Sequence, residues 1–214
     1  MLYETVIRRR ARATTAHRTL AHPGLVAGVA GVAFVGSYAV ARRDHVPAWE
    51  IALTRWFNGA PDWQAHALWP VMQLGALWGP FVVAAAIVGF RRDWLLAGVT
   101  VATGTVTWFT AKGIKTMVER GRPRAYIADI VVREGKGTGL GFPSGHAAVA
   151  AATAVLALAA LPRRARPIAV LLAFLVGIAR IVYGVHLPAD VIGGWAFGTL
   201  MGLIGLSLVD AWNS

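Results

Sequence analysis

The sequence contains no cysteine among its 214 residues. Disulfides, thiolate metal sites and a cysteine nucleophile are therefore excluded, whereas the redox compartment stays open. Charge is scarce as well, because charged residues make up 14% of the chain against about 25% in soluble domains. Acidic residues are the rarer kind, 10 against 21 lysines and arginines. The sequence offers no cluster of carboxylates for a metal, so we expect neither a metal nor a cofactor.

Hydrophobic residues, in contrast, make up 57% of the chain. A helix that spans a membrane needs about 20 mainly apolar residues. The stretches that qualify are about 24–41, 67–90, 95–114, 145–161, 168–185 and 189–209. The sequence predicts an all-α fold, a polytopic membrane bundle of six transmembrane helices that forms one domain over residues 1–214. Such long apolar runs argue against a nucleic-acid partner, and we expect membrane lipids as surroundings and no obligatory protein partner.

The spans are rich in small residues such as Gly98, Gly104, Ala147 and Ala151. Small residues let helices approach closely in lipid, where packing drives association. Between the first two spans, Trp49, Leu53, Trp56 and Phe57 fall near helical spacing, which predicts a short helix in the membrane interface.

The positions of lysine and arginine indicate the orientation, because cytoplasmic segments carry an excess of both. Three segments on one side of a six-span chain are basic, with Arg8, Arg9, Arg10, Arg12, Arg18, Arg91, Arg92, Arg163, Arg164 and Arg166. We therefore place both termini in the cytoplasm and the protein in the plasma (inner) membrane. Basic residues followed by an apolar run that ends in Ala39-Val40-Ala41 could also be a cleaved signal peptide, but the run is longer than a usual signal core.

The same orientation places the 115–143 loop outside, where the charge rule expects few cations. That loop nevertheless carries Lys115, Arg120, Arg122, Arg124, Arg133 and Lys136. An anionic ligand at the outer face would explain this concentration of positive charge.

The first candidate cluster lies where the third span ends, at Lys115, Arg122 and Pro123. Lysine supplies a point charge and arginine a planar fork, which suits a phosphate. The alternative is an ordinary basic flank of a membrane helix.

The second cluster, Ser144, Gly145 and His146, opens the fourth span. Ser144 can cap the helix, Gly145 lets a ligand approach the backbone, and the first helix amides point at an anion. The alternative is a capped helix with an interfacial histidine.

The third cluster is Arg180, His186 and Asp190. A charge inside an apolar span is expensive and usually functional. His186 and Asp190 share one side if Pro188 sits in the first turn of the sixth helix, and a carboxylate on one imidazole nitrogen makes the other one basic. The alternative is an ion pair between Arg180 and Asp190, with His186 as a bystander.

These residues resemble the three-part signature of the PAP2 (type 2 phosphatidic acid phosphatase) family. That signature is Lys, six residues, Arg-Pro, then Pro-Ser-Gly-His, then Ser-Arg, five residues, His, three residues, Asp. Here it reads as Lys115 to Arg122-Pro123, then Pro143-Ser144-Gly145-His146, then Arg180, His186 and Asp190. The departure is Ala179, where the family often has serine.

The resemblance implies a metal-independent membrane lipid phosphatase with its active site on the outer face. His186 would be the nucleophile that forms a phosphohistidine, Asp190 would orient it, and His146 would protonate the leaving group. The phosphate would be held by Lys115, Arg122, Ser144, Gly145 and Arg180. The resemblance leaves Lys112 without a role; a headgroup or a second phosphate is the hypothesis for it.

Several functions share this signature. The substrate expected first is undecaprenyl (prenyl) diphosphate, and phosphatidylglycerol phosphate or phosphatidate comes second. A lipid phosphotransferase would use the same site with an acceptor other than water. A soluble vanadium haloperoxidase is disfavoured by the apolar runs. A transporter or silent lipid-binding protein would show repeats and helices broken near mid-membrane, whereas these polar groups gather at one interface.

Overall fold

The computed structural model describes residues 20–214, which form α-helices with two single-turn 3₁₀ segments and no β-strand in that part of the chain. The all-α prediction is confirmed. In chain order the helices are α1 (Pro23–Ala41), α2 (Ala48–Asn58), α3 (Asp62–Met72), α4 (Gly79–Arg91), α5 (Trp94–Val118), α6 (Gly145–Ala160), α7 (Arg166–Val182) and α8 (Pro188–Asn213). The N-terminal arginines Arg8, Arg9, Arg10, Arg12 and Arg18 lie outside the described residues.

Helix α6 lies at the centre of the bundle and contacts α4, α5, α7 and α8. Its most extensive neighbour is α8, and the two helices meet through small residues. A Cβ added at Gly202 of α8 would lie 2.8 Å from the carbonyl oxygen of Ala152, and one at Gly198 would overlap the backbone of Ala148. Side chains at these positions would force the helices apart, so the expected close packing through small residues is observed.

Three of the described helices are long and apolar enough to cross a membrane, namely α1, α5 and α8. The prediction of one helix over 67–90 is wrong, because α3 with its 3₁₀ turn and α4 are bent by 76° at a break. Ala76 is extended at the break, and Pro80 lies in the first turn of α4, where its missing N–H is tolerated but could not complete a helix that continued from α3. Helix α6 is apolar but short, with 16 residues, so six spans remain a prediction.

Helix α2 confirms the helix expected between the first two spans, although its place in the interface stays a prediction. Its polar side chains Glu50, Thr54 and Asn58 are buried, whereas Trp49 and Trp56 are exposed. The three buried residues recur every fourth position and so share one face. Helix α2 therefore turns its polar face into the protein and its aromatic face outward.

The segment between α5 and α6 is tied down by α2 and by the end of α7. The amide of Asn58 donates to the carbonyl oxygens of Val131 at 2.7 Å and Val182 at 3.0 Å. Arg133 donates to Val182 at 2.8 Å and forms an ion pair with Asp62. Gly184, in a left-handed turn with φ of 68°, lets the chain pass close to the carbonyl of Val131. These contacts hold the segment against the end of α2, the start of α3 and the end of α7.

Candidate active site

The three sequence clusters meet at one cavity of about 330 Å³. Six of the eight predicted site residues line it: Lys115, Arg122, Gly145, His146, Arg180 and His186. Its other lining residues are Trp108, Ala111, Lys112, Thr116 and Leu140. Asp190 lies behind His186, and Ser144 does not line the cavity.

His186 and Asp190 form a buried pair at the start of α8. Nδ1 of His186 lies 3.3 Å from Oδ2 of Asp190, which also accepts the backbone N–H of Leu187 at 3.0 Å. As expected, Pro188 occupies the first turn of α8. When Nδ1 donates to the carboxylate, Nε2 keeps the lone pair that a nucleophile needs.

Burial lowers the pKa of His186 well below its usual value, and the nearby charges of Lys115, Arg180 and Arg122 lower it further. Desolvation and like charge both disfavour the imidazolium. The ring is therefore neutral at neutral pH, in the form that can attack.

The cations of the cavity differ in how firmly the protein holds them. Lys115 donates from Nζ to the carbonyl oxygens of Leu140 at 3.1 Å and Gly141 at 2.6 Å. Arg180, 3% exposed, pairs through one Nη with Glu134, and its Nε has no partner within the described chain. The acid that Arg180 meets is thus Glu134, and the alternative ion pair with Asp190 is not present.

Ser144 departs from the role expected for it. It stands at the N-cap position of α6, but its side chain makes no capping hydrogen bond. Its buried Oγ has no partner in the described structure, while its backbone N–H donates to the carbonyl of Asp190 at 2.8 Å. The backbone of Ser144 therefore joins the start of α6 to the start of α8, and the hydroxyl caps nothing.

His146 and Gly145 form the wall of the cavity at the first turn of α6. The ring of His146 meets that of Trp108 edge to face, with centroids 5.3 Å apart. A Cβ at Gly145 would sit 3.7 Å from the Trp108 ring, so the glycine leaves open space beside the indole. A Cβ at Gly75, in the turn before α4, would overlap the carbonyl of His146, so the turn between α3 and α4 packs against the site.

The spacing of the clusters gave no indication of Arg120 and Glu50, which lie behind Asp190. Arg120 donates from Nη1 to Oδ1 of Asp190 at 3.0 Å and forms an ion pair with Glu50. Glu50 also accepts the backbone N–H of Ala189 at 2.8 Å. The sequence did carry one indication of Glu50, because Glu50, Thr54 and Asn58 recur every fourth residue in α2. A carboxylate on the buried face of a helix needs a partner.

The α5 face toward the cavity carries Trp108, Lys112 and Lys115, which fall at helical spacing. Nζ of Lys112 lies 5.5 Å from the centroid of the Trp108 ring. Among residues 20–214 no carboxylate forms an ion pair with Lys112.

No group of three or more His, Cys, Asp or Glu side chains that could hold a metal occurs in the same residues.

The model of the PAP2 superfamily matches residues 93–214, which include every residue of the three clusters. The chain belongs to the PAP2 superfamily. Among curated relatives, an undecaprenyl-diphosphatase from Sulfolobus acidocaldarius is 27% identical over 132 residues, 62% of this chain and 63% of that protein. A decaprenylphosphoryl-5-phosphoribose phosphatase from Mycobacterium tuberculosis is 38% identical over 123 residues, 56% of this chain and 64% of that protein. The chain thus spans less than two thirds of these relatives.

Two solved structures share the fold. A PAP2 type phosphatidylglycerolphosphate phosphatase from Bacillus subtilis superposes with a TM-score of 0.71 at 23% identity, covering 86% of this chain and 96% of that one. LpxE from Aquifex aeolicus gives a TM-score of 0.67 at 25% identity, covering 75% and 96%. The helical arrangement seen here is therefore that of PAP2 membrane proteins.

Proposed function

We propose that this chain is a membrane lipid phosphatase that hydrolyses a prenyl diphosphate to the monophosphate through a phosphohistidine. The observation that carries the proposal is one cavity lined by His186, which Asp190 backs, together with His146 and cations from three chain segments. Two histidines beside convergent positive charge suit phosphoryl transfer, in which positioning and charge stabilisation supply most of the catalysis.

In the first step Nε2 of His186 attacks phosphorus while the bond from phosphorus to the leaving oxygen breaks. The electron pair goes to the leaving oxygen, and His146 supplies a proton where that oxygen is basic. In the second step His146 accepts a proton from water as the water oxygen attacks phosphorus. The bond from nitrogen to phosphorus breaks, its electron pair returns to His186, and inorganic phosphate departs.

The phosphoryl oxygens are held by Lys115, Arg122, Arg180 and the first amides of α6, which begins at Gly145. Positive charge already at the site stabilises the charge of the transition state without a divalent ion. Ser144 joins this set only if its unpartnered hydroxyl turns toward the substrate. We place the cavity on the outer face of the membrane, opposite Arg91, Arg92, Arg163, Arg164 and Arg166.

Lys112 supports a substrate that carries two phosphates. Its ammonium lies next to Trp108, and Trp108 contacts His146, the group assigned to the leaving side of the scissile bond. A diphosphate lipid leaves as a lipid monophosphate, an anion that a cation at this place stabilises. A protonated alcohol leaving from a monophosphate lipid gains nothing from it.

The name of one curated relative points the same way, because an undecaprenyl-diphosphatase acts on a prenyl lipid with two adjacent phosphates. Decaprenylphosphoryl-5-phosphoribose is also a prenyl lipid with two phosphates, but a ribose separates them, so removal of its 5-phosphate expels an alcohol. A prenylphosphoryl sugar phosphate is accordingly the second candidate substrate, favoured by the 38% identity.

The test is release of inorganic phosphate by the purified chain in detergent, with EDTA present, from undecaprenyl diphosphate, a prenylphosphoryl phosphoribose and phosphatidate. We expect the diphosphate to turn over fastest and His186→Ala to release none above background, because the covalent route needs the imidazole. Acid-labile, base-stable label on the protein after brief mixing would identify the phosphohistidine. Full activity in His186→Ala, or no turnover of any lipid phosphate by the wild type, would refute the proposal.

A further inference from the structure

Two buried charged side chains stand behind the proposed nucleophile and touch no part of the cavity. Glu50 of α2 is fully buried and Arg120, just beyond α5, is 5% exposed. Arg120 bridges two carboxylates, donating to Asp190 at 3.0 Å and pairing with Glu50. Such buried charges are costly unless each is paired and hydrogen-bonded, and neither residue serves the reaction steps above.

The local structure aims both side chains at the start of α8. Helix α5 ends with Glu119 in the left-handed region, at φ of 55°, which turns Arg120 back toward the protein. The carbonyl of Arg120 accepts the N–H of Gly141 at 2.7 Å, so its backbone is held against the chain that leads into α6. Glu50 reaches the same place from α2 and accepts the N–H of Ala189 at 2.8 Å.

The formal charges of these contacting residues favour the phosphorylated state of His186. Glu50, Arg120 and Asp190 together carry one net negative charge, next to a neutral His186. Attack on phosphorus makes the imidazole ring cationic, because Nδ1 keeps its proton while Nε2 bonds phosphorus. The excess negative charge is then balanced, so the network favours the phosphorylated state over the resting one.

We propose that Arg120 and Glu50 are positioning residues that hold the Asp190 carboxylate ionised and aimed at Nδ1 of His186. This inference rests on the proposed phosphatase function. It makes α2, the helix with the outward aromatic face, part of the support of the active site. Every contact in the chain from Glu50 to His186 is a direct hydrogen bond or ion pair.

The acid limb is the part of the pH profile in which kcat/KM falls as the pH is lowered. We expect loss of the Arg120 cation and loss of the Glu50 anion to move this limb in opposite directions. The charged or titratable groups that face His186 are Lys115, Arg122, Arg180, His146 and Asp190. Asp190 in turn faces Arg120 and Lys115. Without the Arg120 cation, Asp190 and His186 bind a proton more readily, and the acid limb moves up by about one pH unit or more. Without the Glu50 anion the positive charge of Arg120 is uncompensated, so Asp190 and His186 bind a proton less readily and the acid limb moves down.

The experiment measures kcat, KM and the pH profile for Arg120→Met, Arg120→Lys and Glu50→Gln on the substrate that wild type turns over fastest. We expect Arg120→Met to lower kcat about 10²-fold at pH 7 with KM within about threefold, because Arg120 does not line the cavity. Arg120→Lys keeps the charge and should recover part of the rate and most of the pH profile. Glu50→Gln, which keeps the acceptor for Ala189, should lower kcat about tenfold.

The matched control is Arg55→Met, which breaks an exposed ion pair between α2 and Asp129 and should leave kcat and the profile unchanged. If Arg120→Met does not fold, the neutral variant Arg120→Gln takes its place, because it also removes the cation and should move the acid limb the same way. Acid limbs that stay at the wild-type position, or that move the same way in the Arg120 and Glu50 variants, would overturn the inference while the phosphatase function stands. Lack of activity in wild type would instead overturn the function itself.

Discussion

Gly141 stands beside the Asp190 carboxylate, where there is no room for a side chain. A Cβ at this position would lie 2.6 Å from Oδ2 of Asp190, 3.2 Å from its Cγ and 3.0 Å from the carbonyl oxygen of Gly121. Ordinary carbon–oxygen contacts begin at about 3.3 Å. Gly141→Ala therefore requires the carboxylate and the 119–144 segment to separate by about 0.7 Å.

The carboxylate is the group that we expect to give way. Oδ1 of Asp190 is held by Arg120 at 3.0 Å, and Oδ2 by the N–H of Leu187 at 3.0 Å, whereas the contact of Oδ2 with His186 is already 3.3 Å. The longest contact loses its alignment first. Since a misplacement of about 1 Å can cost about 10²-fold in rate, we expect kcat to fall about 10- to 100-fold in Gly141→Ala.

The assay compares kcat and KM of Gly141→Ala with those of Gly98→Ala, which places a Cβ where no heavy atom of residues 20–214, apart from its own stretch of helix, lies within 4 Å. Gly98→Ala should keep the wild-type kcat, because a helical glycine in open space gains helix propensity and loses no contact. Thermal unfolding in detergent checks that both variants are folded. A folded Gly141→Ala with wild-type kcat would show that the Asp190 contact with His186 does not limit the reaction.

Three further predictions concern the substrate and the membrane. Lys112→Met should lower kcat/KM about tenfold or more for a prenyl diphosphate and leave phosphatidate within about twofold, with Lys136→Met as the control; equal losses on both lipids would contradict a second phosphate subsite. His146→Ala should slow the single-turnover release of the lipid product more for phosphatidate than for the diphosphate, because only an alkoxide needs a proton. Equal slowing, with chemistry rate-limiting, would make His146 a phosphate ligand. A cysteine at Thr138, in a chain that otherwise has none, should react with a membrane-impermeant reagent in intact cells. Labelling of that cysteine only after lysis would reverse the orientation.

The sequence by itself was sufficient for the residues that each act within one short segment. Lys115 and Arg122 flank one helix end, and His186 and Asp190 lie four apart across the start of α8, so their spacing could be compared with the PAP2 signature, and that resemblance implied their roles. The all-α class followed in the same way from apolar runs of membrane length. Hydropathy could not, however, reveal the break within the second of those runs. The residues around Ala76 and Pro80 are as apolar as the rest of the run, and the break depends on their backbone conformation.

Only the tertiary structure decided which distant residues meet. Glu50 lies 139 positions from Ala189 and 70 from Arg120, and no periodicity links residues on separate helices. Likewise, the sequence did not show that Arg180 forms its ion pair with Glu134 rather than with Asp190. Local spacing carries information about one helix face at a time, whereas the partner of a buried charge is set by which helices pack together. For this reason the sequence indicated the proposed nucleophile, and only the fold revealed the charges that stand behind it.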